Sequence, residues 1–157
     1  MLIVLLLAAC ISDGPSLEVD PEVVAARAAI TEIPAEYAEG DAAYQRDCAR
    51  CHGEDGLGTE SGPPLLHPVY QPTQHPDATF LLAVRTGVEA HHWDFGDKEA
   101  LPGVSPADVG RITSYIRWLQ RDVGISCAVA GAPPASRRRS NSTARSRLQR
   151  PTTGGGQ

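Results

Sequence analysis

Gly40-Asp41-Ala42-Ala43-Tyr44-Gln45-Arg46-Asp47-Cys48-Ala49-Arg50-Cys51-His52-Gly53 is the stretch on which the reading of this chain turns. Near its end it sets two thiols and an imidazole at positions 48, 51 and 52. On a helix these stand at i, i+3 and i+4, so all three side chains share one face. Competing uses of the pattern fit less well. A zinc site needs a fourth ligand at suitable spacing; the chain offers only Cys127 and isolated histidines, none in a second paired motif. A thioredoxin-like redox pair wants a βαβ setting, and the sequence has none. A purely structural Cys pair has no use for His at the next position.

Cys-x-x-Cys-His is the attachment signature of c-type haem. Two thiols so spaced bond the two vinyl groups along one porphyrin edge, and the imidazole beside them reaches the iron. The flanks agree. After Gly53 come Gly56 and Gly58, then Gly62-Pro63-Pro64-Leu65. With the quoted stretch, these resemble the first helix, haem loop and Gly-Pro-x-Leu turn of the small class I, mono-haem, bacterial cytochromes c. The resemblance spans roughly residues 35–125. It implies an all-α, cytochrome c-like fold of three to four helices wrapped round one covalent haem c. It further implies that the Pro63 carbonyl accepts a hydrogen bond from the iron-ligating His52, which would fix the ring tautomer and raise its basicity.

Working outward, Ser105-Pro106-Ala107-Asp108 supplies an N-cap, a proline at the first helical position and an acid three residues on. Val104 and Val109 stand where a hydrophobic staple would have them. Ile112, Tyr115, Ile116 and Leu119 keep the spacing of one buried stripe, and Gly124 closes the helix. In the family the first and last helices cross with a glycine and an aromatic at the contact; Gly40 and Tyr44 against Tyr115 match that arrangement. Between them, Asp77 to Gly87 reads as a short capped helix, similar to the one preceding the family's ligand loop.

The pattern breaks at the other axial position. Most of the family presents a Met sulfur there, and this chain has one Met, the initiator. In His91-His92-Trp93-Asp94-Phe95-Gly96-Asp97-Lys98-Glu99-Ala100, Lys98 stands where the family's Met is expected; it is the only Lys in the chain. Three outcomes stay open. Lys98 ligates as a neutral amine, at a cost of roughly 4–5 kcal/mol at pH 7 against an unperturbed pKa of about 10.4, reduced by burial. Or His91 or His92 ligates, nearly free of that cost. Or the iron keeps an open face. Lys98 as an ordinary loop lysine stands beside these, as does a His pair making local hydrogen bonds. His67 and His75, in a Pro-rich loop, are given no chemistry. Losing the sulfur lowers the expected haem potential.

Composition bounds the rest. The chain has 157 residues, 41% hydrophobic and only 5% aromatic, with four Cys. That is one domain with tails, too apolar for wholesale disorder, and a porphyrin at the core suits the scarcity of aromatics. Through residue 130 eight basic residues face nineteen acidic ones, a balance of −11, and the last stretch carries six arginines. Residues 1–9 (MLIVLLLAA) fit the apolar part of an export signal, and Leu7-Ala8-Ala9-Cys10 resembles a bacterial lipobox. The expected layout is an export signal over 1–9 with lipid on Cys10, a linker with a short helix behind Asp20-Pro21 over 10–34, a cytochrome c domain over 35–126, and a disordered basic tail over 127–157. The leading expectation is a single-haem electron carrier, not an enzyme, on the periplasmic side of a membrane. It would exchange electrons with proteins presenting basic docking patches, and would not bind nucleic acid. The alternative is a haem-based small-ligand sensor or weak peroxidase with an open iron site.

Overall fold

The computed structural model describes residues 17–125, so the expected export signal, Cys10, Cys127 and the arginine-rich stretch expected to be a disordered tail lie outside the described residues. The described residues form five α-helices: α1 (Pro21–Ala28), α2 (Ala38–Asp47), α3 (Ala49–His52), α4 (Asp77–Thr86) and α5 (Pro106–Asp122). Two 3-10 turns, Ala35–Tyr37 and Pro68–Tyr70, sit in the connections. Strand-like pairing among the described residues is limited to two isolated bridges, Thr59 with Gly62 and Val88 with Lys98. The class is all-α, as expected. No helix among the described residues is long and apolar enough to cross a membrane.

Local chemistry sets the helix ends. The Asp20 carboxylate accepts from the Glu22 N–H at 2.8 Å and starts α1. Ser105 Oγ accepts from the Asp108 N–H at 3.1 Å and starts α5. At the far end Ile125 N–H donates to Gln120 O at 2.8 Å and Gly124 N–H to Arg121 O at 3.3 Å. This is a Schellman closure, with Gly124 at φ 84° supplying the left-handed residue it requires. α4 departs from expectation at its start. No side chain caps it; Thr79 N–H donates to Pro76 O at 2.9 Å instead. The Asp77 carboxylate is engaged elsewhere, accepting from Arg117 Nε at 2.8 Å.

The core is the crossing of α2 on α5. Tyr44, Tyr115, Ile116, Leu119 and Leu66 are fully buried there. The rings of Tyr44 and Tyr115 lie 5.6 Å apart. The helices approach so closely at Gly40 that a Cβ on it would stand 2.4 Å from Arg111 O and 2.9 Å from Tyr115 Cβ. Only a residue without a side chain fits this crossing. Tyr37 stacks on Trp118 at 5.2 Å and extends the contact past the N-terminus of α2.

α5 is buried on more than the single stripe read from its spacing. Arg117 and Gln120 are inside as well, at 6% and 0% exposure. The reason is tertiary: α5 meets α2 on one side and α4 with the 65–70 loop on the other. Both side chains find hydrogen-bond partners, whereas the buried Tyr115 hydroxyl on the same helix has none among the described residues. Arg117 Nη1 donates to Tyr70 O at 2.6 Å and to Gln120 Oε1 at 2.7 Å. Its Nη2 donates to His75 O. Gln120 Nε2 donates to Leu65 O at 2.9 Å. Arg117 thus ties the loop preceding α4 to the last helix, and its guanidinium lies 4.9 Å from the centre of the Phe80 ring.

Candidate functional site

The Cys48–His52 segment is a single helical turn set off from α2 by a break. Cys48 has φ −123° and ψ −35°, outside regular helix, while its N–H still donates to Tyr44 O at 2.8 Å. His52 N–H donates to Cys48 O at 3.0 Å and Gly53 N–H to Ala49 O at 2.8 Å, which closes the turn. Cys48, Cys51 and His52 are therefore held by α3 and its boundary residue, not by one continuous helix with α2. The Tyr44 hydroxyl donates to Gly53 O at 2.6 Å and pins the turn to the core. Thr59 Oγ1 donates to Cys51 O at 2.6 Å from the other side.

Pro63 lies where its carbonyl meets the imidazole: His52 Nδ1 is 2.8 Å from Pro63 O. A carbonyl can only accept, so Nδ1 carries the proton and Nε2 presents a lone pair. Burial holds the imidazole below its usual pKa; the Pro63 bond opposes this, and the Lys98 charge lowers it further. The ring is neutral at neutral pH, as a metal ligand must be. Both thiols are free of any disulfide. Burial pushes the Cys48 thiol up to about 11, with Asp47 adding to the rise and Lys98 opposing it.

Lys98 belongs to a unit built on the end of α4. Its backbone pairs with Val88, N–H to O at 2.8 and 2.9 Å. Leu101 N–H donates to Val84 O at 2.7 Å. Lys98 Nζ donates to Ala83 O at 3.1 Å and Glu99 O at 3.0 Å. Burial holds the amine below its ordinary range, with Cys48 and Cys51 pulling the other way. Lys98 therefore shares an electrostatic neighbourhood with both cysteines and with His52. His91 and His92 are engaged differently. His92 Nε2 lies 3.3 Å from His75 Nε2, and His91 Nδ1 lies 2.7 Å from Glu89 O. Sequence reading left His75 without chemistry; the fold brings it to these two, 16 and 17 positions away. Arg117 was likewise unmarked, since an Arg on a helix reads as surface until the loop packed over it is known.

An iron porphyrin suits this donor set: two thiols on one turn and a neutral imidazole with its lone pair on Nε2. α4 carries Phe80, Leu81, Leu82 and Val84, none of them fully buried, and Leu82 is 60% exposed. A helical body organised round such a turn defines a haem-carrying electron-transfer protein. The family model described as Cytochrome c matches residues 37–120, more than half of the chain, and the chain belongs to that family. Membership brings covalently bound haem c with its iron, and redox proteins as partners. Comparison with curated proteins and with solved structures gave no match.

Proposed function

We propose that this protein is an exported single-haem electron carrier whose iron is held between His52 and Lys98. The observation that carries the reading is the His52–Pro63 contact at 2.8 Å on the turn that bears Cys48 and Cys51. Cys48 and Cys51 would supply the thioether sulfurs and His52 Nε2 a nitrogen for the iron. When bound, the haem supplies one-electron Fe(III)/Fe(II) exchange. Pro63 fixes the tautomer and orientation of His52, and Tyr44 anchors the turn behind it.

Lys98 is favoured over His91 and His92 because it stands where the family's Met is expected and its half-buried amine is held by Ala83 O and Glu99 O, while the two histidines turn to each other and to His75. A neutral lysine amine has two N–H bonds and one lone pair. With Ala83 O and Glu99 O, at 3.1 and 3.0 Å, accepting those two N–H bonds, the lone pair would be left for a metal. A nitrogen ligand in place of sulfur gives a potential below that of His/Met relatives. Lipid on Cys10 would hold the carrier at the outer face of a bacterial membrane. The acidic balance of −11 through residue 130 favours partners with basic docking surfaces.

Resting-state optical and electron paramagnetic resonance spectra of the haem-loaded chain test the assignment. The wild type is expected low-spin and reversibly reducible by one electron, Lys98→Ala high-spin, and His91→Ala and His92→Ala unchanged. A high-spin wild type indifferent to Lys98→Ala contradicts it and favours an open iron face, as in a ligand sensor or weak peroxidase.

A further inference from the structure

We propose that His75, His91 and His92 form a second metal site, separate from the haem, that takes one divalent transition cation of the Zn(II)/Cu(II) class. One ring nitrogen from each of the three lies within 4.8 Å of the other two. His75 comes from the loop ahead of α4, and His91 and His92 from the loop after it, so the helix connection itself closes the triad.

The spacing of two of the nitrogens matches that of two ligands on one cation. His75 Nε2 and His92 Nε2 stand 3.3 Å apart. Two nitrogens bound to tetrahedral zinc at about 2.0–2.1 Å stand roughly 3.3–3.4 Å from one another. The tautomers are set by the backbone in the sense ligation needs. His75 Nδ1 lies 2.6 Å from Val69 O and His91 Nδ1 lies 2.7 Å from Glu89 O. Both carbonyls accept, so each Nδ1 donates and each Nε2 keeps its lone pair. With His75 Nε2 an acceptor, the facing His92 nitrogen either donates to it or shares a cation with it.

The surroundings agree. The His91–His92 loop also carries Glu89, Asp94 and Asp97, with Asp97 Oδ1 accepting from Ala90 N–H at 2.9 Å. The nearest buried cation, Arg117, bonds the backbone of His75 but has its charge matched by Asp77 at 2.8 Å. His75 and His92 are half-buried and fixed against Tyr70, their rings 5.0 and 6.5 Å from it. His91 is exposed, its ring held by Glu89 O and lying 4.2 Å from that of His92. Three imidazoles suit zinc and copper, and a fourth position is left to solvent or to a ligand from a partner.

Calorimetric titration of tag-free, chelator-treated, haem-loaded protein with Zn(II) and with Cu(II) tests the site. One cation per chain is expected, with Mg(II) giving no heat. His75→Ala and His92→Ala each weaken binding at least about tenfold while the haem spectrum stays as in the wild type. Copper electron paramagnetic resonance on the unaltered chain gives the ligand identity without relying on a variant: splitting from imidazole nitrogens is expected. Absence of stoichiometric binding, equal affinity in wild type and the triple Ala variant, or a copper signal with oxygen ligands only would each overturn the proposal. A haem spectrum altered by His92→Ala would instead move His92 to the iron and also overturn it.

Discussion

Replacing Gly40 by Ala sets two calculable effects against each other at the α2–α5 crossing. Helix propensity alone predicts a gain, since Ala is better than Gly in a helix by about 0.8–1.0 kcal/mol. The crossing predicts a loss. The added Cβ would lie 2.4 Å from Arg111 O, 3.0 Å from Arg111 C and 2.9 Å from Tyr115 Cβ. Ordinary carbon–oxygen contacts begin near roughly 3.3 Å, so the helices must part by about 0.9 Å, and the nearest obstructing atom is backbone. Overpacking of this kind costs about 1–3 kcal/mol. The backbone obstruction places it at the upper end, leaving a net loss of about 1–2 kcal/mol. For a domain of this size that lowers Tm by roughly 4–10 °C. Gly110, on α5, has nothing within 4 Å of a built Cβ. Gly110→Ala should therefore raise Tm by a few degrees, through propensity alone. Thermal unfolding of the haem-loaded protein and both variants, followed by far-UV circular dichroism, makes the comparison. A Gly40→Ala protein as stable as its parent, or more so, would refute the close crossing.

Three further outcomes follow from the site and its support. Tyr44→Phe removes the bond to Gly53 O at 2.6 Å, whose oxygen keeps its contact with Gly56 N–H at 3.1 Å; denaturant titration should find a loss of about 1 kcal/mol. Arg117→Met strips Tyr70 O, His75 O and Gln120 of a charged donor and should cost about 2–4 kcal/mol; Asp77→Ala, whose carboxylate is mostly exposed, should cost under about 1 kcal/mol. Equal losses for the two would mean the ion pair, not the backbone bonds, holds that loop. In the haem-free chain the Cys48 thiol, pushed up to about 11, should alkylate about tenfold faster per pH unit and level off only near that value. A plateau near pH 8.5 would mean that the thiol is not buried as described.

What local chemistry dictates was legible in the sequence. The Ser105 cap, the Asp20–Pro21 start of α1 and the Gly124 closure need only a few consecutive residues, and each is found at its place. Gly40, Tyr44 and Tyr115 meet as the family resemblance implied, because a helix crossing leaves a glycine–aromatic signature that sequence preserves. What escaped depends on segments far apart in the chain. Arg117 and Gln120 read as the polar flank of α5 until the 65–75 loop lies over them. His75 stood alone in a Pro-rich loop until α4 folded back and brought His91 and His92 beside it. Asp77 read as a cap, but Arg117 competes for its carboxylate. The break at Cys48 was also unread, since nothing in Arg46-Asp47-Cys48 opposes a helix by propensity.

The central claim is that Cys48 and Cys51 carry one haem with His52 beside them. Mass spectrometry of the intact chain and of its Cys48–His52 peptide, after production with the haem-attachment machinery, tests it directly. The account predicts the mass of a single porphyrin on that peptide in the wild type and none on the Cys48→Ser/Cys51→Ser variant. A wild-type chain without porphyrin, or porphyrin retained by the double variant, would contradict it.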